Sequence, residues 1–296
     1  MKSFAIVGTA GYIAPRHLKA VKEIGGVIRH SYDISDSVGI LDSYFPDCIH
    51  HTDETWFWKH VQRNGKLEPK INALIICSPN YTHYDYIMKA LDMGMNVICE
   101  KPLIINPWEI KHITERSKRT GKKVYSILQL RHHPSVIEKK QSLDGNRKRV
   151  VLNYVTSRGK WYDSSWKMSR QHSGGLPMNI GIHFFDMLIW MFGEVKSFKV
   201  TDGNFLWKMK GTLTLENADV EWFLSIDGND VEKVTDKDVK VYRSITIDGD
   251  EFEFSNVFSD LHTKVYQDII DGNGYTEGDA MESISLAYKI SNNYNG

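Results

Sequence analysis

One stretch decides the fold: Phe4-Ala5-Ile6-Val7-Gly8-Thr9-Ala10-Gly11-Tyr12-Ile13-Ala14-Pro15-Arg16-His17. Its four apolar residues predict a buried strand, and the small residues after them predict a turn that opens a helix. Small side chains at such a turn let the backbone approach a pyrophosphate, whose charge the helix N-terminus stabilises. The usual spacing is G-x-G-x-x-G and the match is loose, so a plain turn is the alternative interpretation. The residues predicted to contact a dinucleotide are Gly8, Gly11, Tyr12 and Ile13.

An acidic side chain ends the second apolar run, which covers residues 27–33. Asp33 lies 25 residues beyond Gly8, where a carboxylate can accept hydrogen bonds from both hydroxyls of an adenosine ribose and would repel a 2′-phosphate. The position therefore predicts NAD rather than NADP. The alternatives are a solvated loop aspartate at this position and Asp36 in the ribose-binding role.

Buried strands and helices alternate through the first 127 residues. Further apolar runs at 73–77, 96–99 and 123–127 are separated by apolar residues at helical spacing. This alternation is typical of a doubly wound parallel sheet, as in a Rossmann domain.

The pattern changes after residue 130, where the apolar runs become longer and alternate with polar residues. These runs predict a mostly antiparallel sheet, and Asp248-Gly249 predicts a hairpin turn between two of its strands. Helices are predicted at 179–192, near 258–271 and at 279–293. The fold class is therefore an α/β Rossmann domain over residues 1–127 plus an α+β domain with a mostly antiparallel sheet over residues 128–296.

Polar residues follow two of the predicted parallel strands. Ser78-Pro79-Asn80 follows one strand, and Glu100-Lys101-Pro102 follows the next. Open α/β sheets bind ligands at these carboxyl ends. A lysine there can donate a hydrogen bond to a substrate hydroxyl, and a cationic nicotinamide nearby would lower its pKa. The alternative for Lys101 is a solvated surface lysine.

A second group of polar residues lies on one face of the helix predicted at 179–192. Asn179, His183 and Asp186 have the spacing i, i+4 and i+7, and the other positions are mostly apolar. A polar stripe on a buried helix needs partners. It either forms a satisfied internal network or faces a ligand.

Composition excludes several classes of protein. The 296 residues carry 37 basic and 37 acidic side chains, which is unlike a nucleic-acid-binding protein. No apolar run approaches the ~20 residues that a membrane-spanning helix needs. The cysteines Cys48, Cys77 and Cys99 are too scattered for a disulfide framework or a zinc site. We expect a cytoplasmic protein that binds no membrane, nucleic acid or metal.

Taken together, these motifs resemble those of the glucose–fructose oxidoreductase / inositol 2-dehydrogenase / rhizopine-catabolism family. The shared marks are a glycine-rich turn followed by a histidine, a Pro-Asn segment with a histidine three residues on, Glu-Lys-Pro, and a Gly-Gly…Gly-x-His-x-x-Asp helix. They lie here at 8–17, 79–83, 100–102 and 174–186. The resemblance implies NAD as cofactor, with further contacts from Ser78, Asn80, His83, Glu100 and Lys101.

A finer resemblance points to one branch, the UDP-N-acetylglucosamine-uronate 3-dehydrogenases of bacterial surface polysaccharide (O-antigen) synthesis. The stretches that carry it are 11–17, 42–46, 77–81, 128–131, 156–159, 179–186 and 222–227. The resemblance implies NAD-dependent oxidation of the 3-hydroxyl of a UDP-sugar, followed in the pathway by a pyridoxal-phosphate aminotransferase. It also implies 2-oxoglutarate as an acceptor that recycles NADH, and a homotetramer.

The resemblance assigns catalysis to Lys101 and His183. Many family members carry Asp where this chain has Asn179, and an amide cannot accept a proton, so the role of base shifts to His183 or Lys101. Substrate contacts are expected from Arg131, Arg158, Lys160, Asn179, His183 and Asp186. Each of the three basic residues has a surface charge as its alternative interpretation.

Two other functions stay open. One is a 3-dehydrogenase of UDP-N-acetylglucosamine, or another sugar dehydrogenase or ketoreductase of the family. The other is a non-catalytic NAD-binding regulator on the same fold. An uncovered apolar sheet face in the second domain would need a partner, and Trp222 and Phe223 are candidates for such an interface, with core packing as the alternative.

Overall fold

The computed structural model describes residues 2–63, 70–235, 241–253 and 261–293. The chain forms two compact units. The first comprises residues 1–129 and 259–280, and the second comprises residues 130–258 and 281–296. A late segment of the chain therefore belongs to the first unit. The domain limits 1–127 and 128–296 stay a prediction.

The first unit contains a six-stranded parallel sheet in the order β3-β2-β1-β4-β5-β6. This order confirms the predicted doubly wound Rossmann sheet. The strands are β1 (Lys2–Val7), β2 (Gly26–Tyr32), β3 (Ile49–His51), β4 (Ala73–Ile76), β5 (Asn96–Cys99) and β6 (Val124–Ser126). The helices are α1 (Ala14–Glu23), α2 (Ile40–Tyr44), α3 (Glu54–Arg63), α4 (His83–Asp92), α5 (Glu109–Thr120) and α9 (Leu261–Ile270).

Helix α9 completes the core of the first unit although it follows the second unit in sequence. Tyr266 and Val265 on this helix are buried in the same apolar cluster as Phe4, Ile6 and Leu18. Fully burying one such apolar side chain stabilises the fold by about 1.5–3 kcal/mol. The predicted helix near 258–271 is therefore a structural part of the Rossmann unit.

The second unit contains a six-stranded mixed sheet in the order β12-β11-β7-β10-β9-β8. Among the strand pairs of the described residues, only β7–β10 is parallel, so the predicted mostly antiparallel sheet is confirmed. The strands are β7 (Lys148–Thr156), β8 (Val195–Asn204), β9 (Lys208–Leu215), β10 (Ala218–Ser225), β11 (Val241–Ile247) and β12 (Asp250–Glu253). The helices are α6 (Pro134–Gln141), α7 (Arg170–Ser173) and α8 (Ile182–Phe192), and α10 (Glu277–Asn293) contributes residues to both units.

Two details of the second unit test predictions made from the sequence. Asp248 and Gly249 have φ of 52° and 95° between β11 and β12, which confirms the predicted hairpin turn. Trp222 is 2% exposed and its ring lies 5.5 Å from that of Phe185, so the core interpretation is right for Trp222 and the interface interpretation is wrong.

One stretch of the described residues, Arg170–Phe192, is long and apolar enough to cross a membrane by composition alone. Most of it is buried inside the protein, as in the core helix of a globular domain. It includes a π-helical turn at Pro177–Gly181 that runs into α8. The first residues of the helix predicted at 179–192 therefore lie in a π-helical turn, which is wider than an α-helical turn.

Candidate active site

The glycine-rich turn after β1 is held by its backbone. Gly8 has φ of 84°, a left-handed conformation that favours glycine, and a Cβ there would lie 2.4 Å from Ser78 N. The Gly8 amide donates to the carbonyl of Tyr32 (2.9 Å), and the Gly11 amide donates to the carbonyl of Gly8 (3.1 Å). The turn thus leads into α1 without side chains at Gly8 and Gly11, which fits the approach of a pyrophosphate to its backbone.

Asp33 lies at the end of β2, directly beside this turn. Its Oδ2 accepts from the amide of Ala10 (2.9 Å) and its Oδ1 accepts from the amide of Ser35 (3.0 Å). Asp36 is exposed. Of the two aspartates considered for ribose binding, Asp33 is the one that the structure joins to the glycine turn.

Two apolar side chains are exposed beside these groups. Tyr12 is 84% exposed and Ile34 is 86% exposed, whereas Ile13 is half-buried. Exposed large apolar side chains around a polar groove are typical of a ligand-binding surface. The turn, Asp33 and these side chains fit the pyrophosphate and adenosine of a dinucleotide.

The loop after β4 is joined to the loop after β5 by a buried histidine. The ring nitrogens of His83 lie 2.9 Å from the Ser78 carbonyl oxygen and 2.8 Å from the Pro102 carbonyl oxygen. Burial lowers the pKa of His83, although these two backbone contacts oppose the shift. His83 and Asn80 are 0% and 5% exposed. His83 thus joins the two loops, and its direct contact with the cofactor stays a prediction.

Glu100 is buried and accepts hydrogen bonds from two histidines. Its Oε1 lies 2.9 Å from His17 Nε2 and 2.9 Å from His262 Nε2, and its Oε2 accepts from the Lys101 amide (3.1 Å). Burial alone would raise the pKa of Glu100, but the hydrogen bonds from His17 and His262 outweigh it and hold that pKa well below its usual value. Glu100 is thus an ionised carboxylate inside the unit, and Lys101 is half-buried beside it.

His17, Glu100 and His262 each offer one atom that could bind a metal ion, and these three atoms lie within 4.8 Å of one another. Hydrogen bonds of ordinary length account for the same spacing. The cluster is fully buried, with 0%, 6% and 3% exposure. Its arrangement fits an ionised carboxylate with two imidazole donors.

In the second unit, Arg131 and Asp186 form a bidentate ion pair. Arg131 Nε donates to Asp186 Oδ2 (2.9 Å), and an Nη donates to Oδ1 (2.7 Å). Both side chains are less than 10% exposed. The two residues predicted to contact the substrate thus pair with each other, and the pair joins Arg131 to α8. Their direct contact with the substrate stays a prediction.

Asn179 lies in the π-helical turn, and its Nδ2 donates to the hydroxyl of Tyr162 (2.9 Å). Tyr162 is 4% exposed, and the guanidinium carbon of Arg158 lies 5.8 Å from the centre of its ring. Burial raises the pKa of Tyr162, whereas Arg158 and the bond from Asn179 lower it. The structure thus connects Asn179 to Arg158 through a buried tyrosine.

The remaining predicted residues of this unit differ in exposure. His183, in the first turn of α8, is half-buried, and its ring packs edge-on against Phe184. Arg158 and Lys160 are exposed. His183 therefore has the accessible imidazole that a proton acceptor needs, and the two cations lie where an anion can reach them.

Three residues of these groups were not predicted from the sequence: His262, Tyr266 and Lys167. His262 and Tyr266 come from α9, far from any motif, so no local signal marks them. Lys167 is half-buried, and its Nζ lies 5.3 Å from the ring centres of both Trp161 and Trp166. Burial lowers the pKa of Lys167, and the charge of Arg158 lowers it further. The aromatic residues around Lys167 were the only available signal.

Comparison with known proteins agrees with this architecture. Residues 2–127 match the Gfo/Idh/MocA model described as an oxidoreductase family with an NAD-binding Rossmann fold. Residues 145–207 match the model of the C-terminal alpha/beta domain of the same oxidoreductase family.

The WlbA (WbpB) dehydrogenase from Thermus thermophilus is 45% identical in sequence. Its structure with NAD and alpha-ketoglutarate superimposes with a TM-score of 0.95, over 99% of this chain and 95% of that chain. Its structure with NAD and UDP-GlcNAcA gives a TM-score of 0.94, over 98% and 95%.

The scyllo-inositol 2-dehydrogenase (NAD(+)) of Bacillus subtilis (strain 168) is 30% identical over 128 residues, which are 43% of this chain and 36% of that protein. The chain spans less than half the length of the first curated relatives that it matches.

Proposed function

This chain belongs to the Gfo/Idh/MocA oxidoreductase family, and on that premise we propose that it oxidises the 3-hydroxyl of UDP-N-acetylglucosamine-uronate to a ketone with NAD. One observation carries the proposal: the chain is 45% identical, over nearly its whole length, to a dehydrogenase solved with NAD and UDP-GlcNAcA. The product is a 3-keto nucleotide sugar, and its place is the synthesis of bacterial surface polysaccharide such as O-antigen.

The first unit supplies the cofactor contacts in this proposal. The glycine turn at the start of α1 lets the backbone approach the pyrophosphate, and Asp33 accepts the ribose hydroxyls. Bound NAD supplies the acceptor for the hydride from the sugar. Gly11, Tyr12, Ile13 and Asn80 surround these contacts, while Ser78, His83 and Glu100 hold the two loops that follow β4 and β5.

Proton transfer falls to His183 and Lys101. Neither Asn179 nor the paired Asp186 is suited to accept a proton, because the first is an amide and the second is committed to Arg131. His183 accepts the proton of the 3-hydroxyl, and Lys101 donates a hydrogen bond to the same oxygen. Such a positioned base contributes about 10²–10⁴-fold to the rate.

Substrate anions are met by cations of the second unit. Arg158, Lys160 and Lys167 lie on one segment, and the lowered pKa of Lys167 reflects burial beside Arg158. Arginine pairs well with a carboxylate or a diphosphate. Asn179 and Tyr162 connect this segment to the π-helical turn, so the cations are held in a fixed position relative to His183.

The wider setting completes the proposal. 2-Oxoglutarate takes the electrons of NADH and returns the cofactor to its oxidised form. A pyridoxal-phosphate aminotransferase consumes the 3-keto sugar. The enzyme acts as a homotetramer in the cytoplasm.

The test is a panel of nucleotide sugars with NAD, run with and without 2-oxoglutarate, with products read by mass spectrometry. We expect loss of two hydrogens from UDP-N-acetylglucosamine-uronate and not from UDP-N-acetylglucosamine, which is the matched neutral control. Oxidation of the neutral sugar instead would reassign the substrate. NAD binding without turnover of any sugar in the panel would overturn the enzymatic proposal and favour a regulator.

A further inference from the structure

Helix α9 contributes two polar side chains to the cluster around Glu100. His262 and Tyr266 are four residues apart, so they lie on one face of the helix. His262 Nε2 lies 2.9 Å from Glu100 Oε1, and the Tyr266 hydroxyl lies 2.8 Å from His17 Nδ1. All four side chains are buried.

The directions of the hydrogen bonds in this cluster follow from counting donors and acceptors. Glu100 Oε1 can only accept, so His17 and His262 each donate to it from Nε2. His17 Nδ1 then accepts from the hydroxyl of Tyr266. His17 is neutral in this arrangement, which agrees with the lowering of its pKa by burial.

The two oxygens of that carboxylate have different partners. Both histidines donate to Oε1, which leaves Oε2 for the backbone amide of Lys101 at 3.1 Å. The orientation of the carboxylate is therefore set from one side by α1 and α9, and it holds the backbone of Lys101 on the other side.

We propose that His262 is a positioning residue: through Glu100 it fixes the Lys101 backbone and thereby the amine that acts on the substrate oxygen. The role of Lys101 rests on the proposed function, whereas the hold on its backbone does not. A displacement of about 1 Å at a reacting group can lower a rate about 10²-fold. Loss of such an indirect contact is expected to lower kcat and to leave substrate affinity nearly unchanged.

Two substitutions isolate the hydrogen bond. His262→Gln keeps an N–H donor near the position of Nε2, and His262→Leu fills similar space without a donor. We expect His262→Leu to lower kcat by about 10- to 100-fold with little change in KM or in the NAD dissociation constant. His262→Gln is expected to recover most of that loss. The acidic limb of kcat against pH is expected to move to higher pH in His262→Leu alone, because Glu100 loses a donor that stabilises its charged form.

A second readout needs no substrate. Reductive ¹³C-methylation of the holoenzyme labels the lysines, and Lys101→Arg assigns the Lys101 signal by its disappearance. We expect His262→Leu to shift or broaden this signal and to alter its titration, while His262→Gln resembles wild type. Exposed His112 provides the control, since His112→Leu should leave the Lys101 signal unchanged.

The outcomes separate the two proposals. A wild-type enzyme that oxidises no nucleotide sugar would overturn the proposed function, while a Lys101 signal that responds only to His262→Leu would still support positioning. Normal kcat and a normal Lys101 signal in His262→Leu would overturn positioning. Equal losses of kcat, NAD binding and thermal stability in both His262 variants would also overturn it, because they indicate a purely structural role.

Discussion

The two units hold most of their candidate site residues by different means, and Glu100 of the first unit is the exception, because the side chains of His17 and His262 hold it. In the first unit, the glycine turn, Asp33 and His83 engage backbone atoms of neighbouring loops. In the second unit, Arg131 pairs with Asp186 and Asn179 with Tyr162, so side chains from separate segments hold one another. A site held by backbone leaves a mark in the sequence, because it demands glycine or a polar residue at the end of a strand. A site held by side-chain pairs leaves no such mark, because either partner can come from any part of the chain.

Loss of a proposed catalytic group gives the largest expected effect, and the proposed function assigns one such group to each unit. Lys101→Ala and His183→Ala should each lower kcat by about 10²–10⁴-fold, because each removes a group that acts on the substrate hydroxyl. The dissociation constant of NAD, measured by fluorescence titration, should stay near the wild-type value. Turnover unchanged in both variants would contradict the assignment of a catalytic group to each unit.

Breaking the buried ion pair of the second unit should destabilise the protein. Arg131→Leu removes the bidentate partner of the buried Asp186 carboxylate, and we expect a loss of about 3–5 kcal/mol in the free energy of unfolding by urea. Arg147→Leu is the matched control, because Arg147 makes a similar bidentate pair with Asp219 in solvent. Its urea midpoint should stay near wild type. Equal shifts in the two variants would mean that burial does not distinguish the pairs.

The backbone-held turn of the first unit can be broken by one methyl group. Gly8→Ala combines a left-handed φ with a collision against the backbone of Ser78 and Cys77, and we expect a loss of about 2–4 kcal/mol together with weaker NAD binding. Gly25→Ala has φ of 69° and open space around its Cβ, so it isolates the conformational strain. The difference in unfolding free energy between the two variants measures the cost of the collision with Ser78 and Cys77. Equal losses in the two variants would argue against such a collision.

The strands could be predicted from the sequence more readily than the contacts between distant side chains. The runs that became β1, β2, β4, β5 and β6 were found because they are apolar and buried on both faces. Two edge strands, β3 (Ile49–His51) and β8 (Val195–Asn204), were missed because their residues are mostly polar or half-exposed. The Arg131–Asp186 pair joins residues 55 positions apart and the His262–Glu100 contact joins residues 162 apart. Only the folded chain brings such residues together.

A histidine cluster gives the first unit an expected sensitivity to acid. Burial lowers the pKa of His51, and the neighbouring His30, His60 and His50 lower it further, to about 4. The unfolded chain gains a proton there below pH ~6.5, whereas the folded chain does so only near its lowered pKa. Stability is therefore complete above pH ~6.5 and should fall by up to about 3 kcal/mol as the pH drops toward that value.

Urea unfolding between pH 7.5 and 4.5 measures this dependence. His51→Gln should flatten the curve, and His112→Gln, at an exposed position, should leave it unchanged. If the free energy of unfolding depends on pH in the same way in wild type and His51→Gln, the acid sensitivity arises from other residues.

The smallest expected effect concerns the choice of cofactor. Asp33→Asn removes the charge that repels a 2′-phosphate while keeping an acceptor oxygen, so the preference for NAD over NADP should fall about tenfold, or about 1.4 kcal/mol. Asp36→Asn is the control at the exposed neighbouring position. Isothermal titration with both nucleotides gives the ratio. A larger change with Asp36→Asn would reverse the assignment made from the contacts of Asp33.

The position of α9 in the sequence has a consequence for how the protein is made. The ribosome delivers the six parallel strands long before Leu261–Ile270, so the nascent Rossmann unit must wait for more than a hundred further residues before Tyr266 reaches its core. Until then the apolar surface that Tyr266 and Val265 cover is open to chaperones or to other nascent chains. A chain released after residue 129 would carry the whole glycine turn and every strand of its sheet, yet it would lack the last layer of its core. Completion of the nucleotide-binding fold thus requires translation to pass through the second unit.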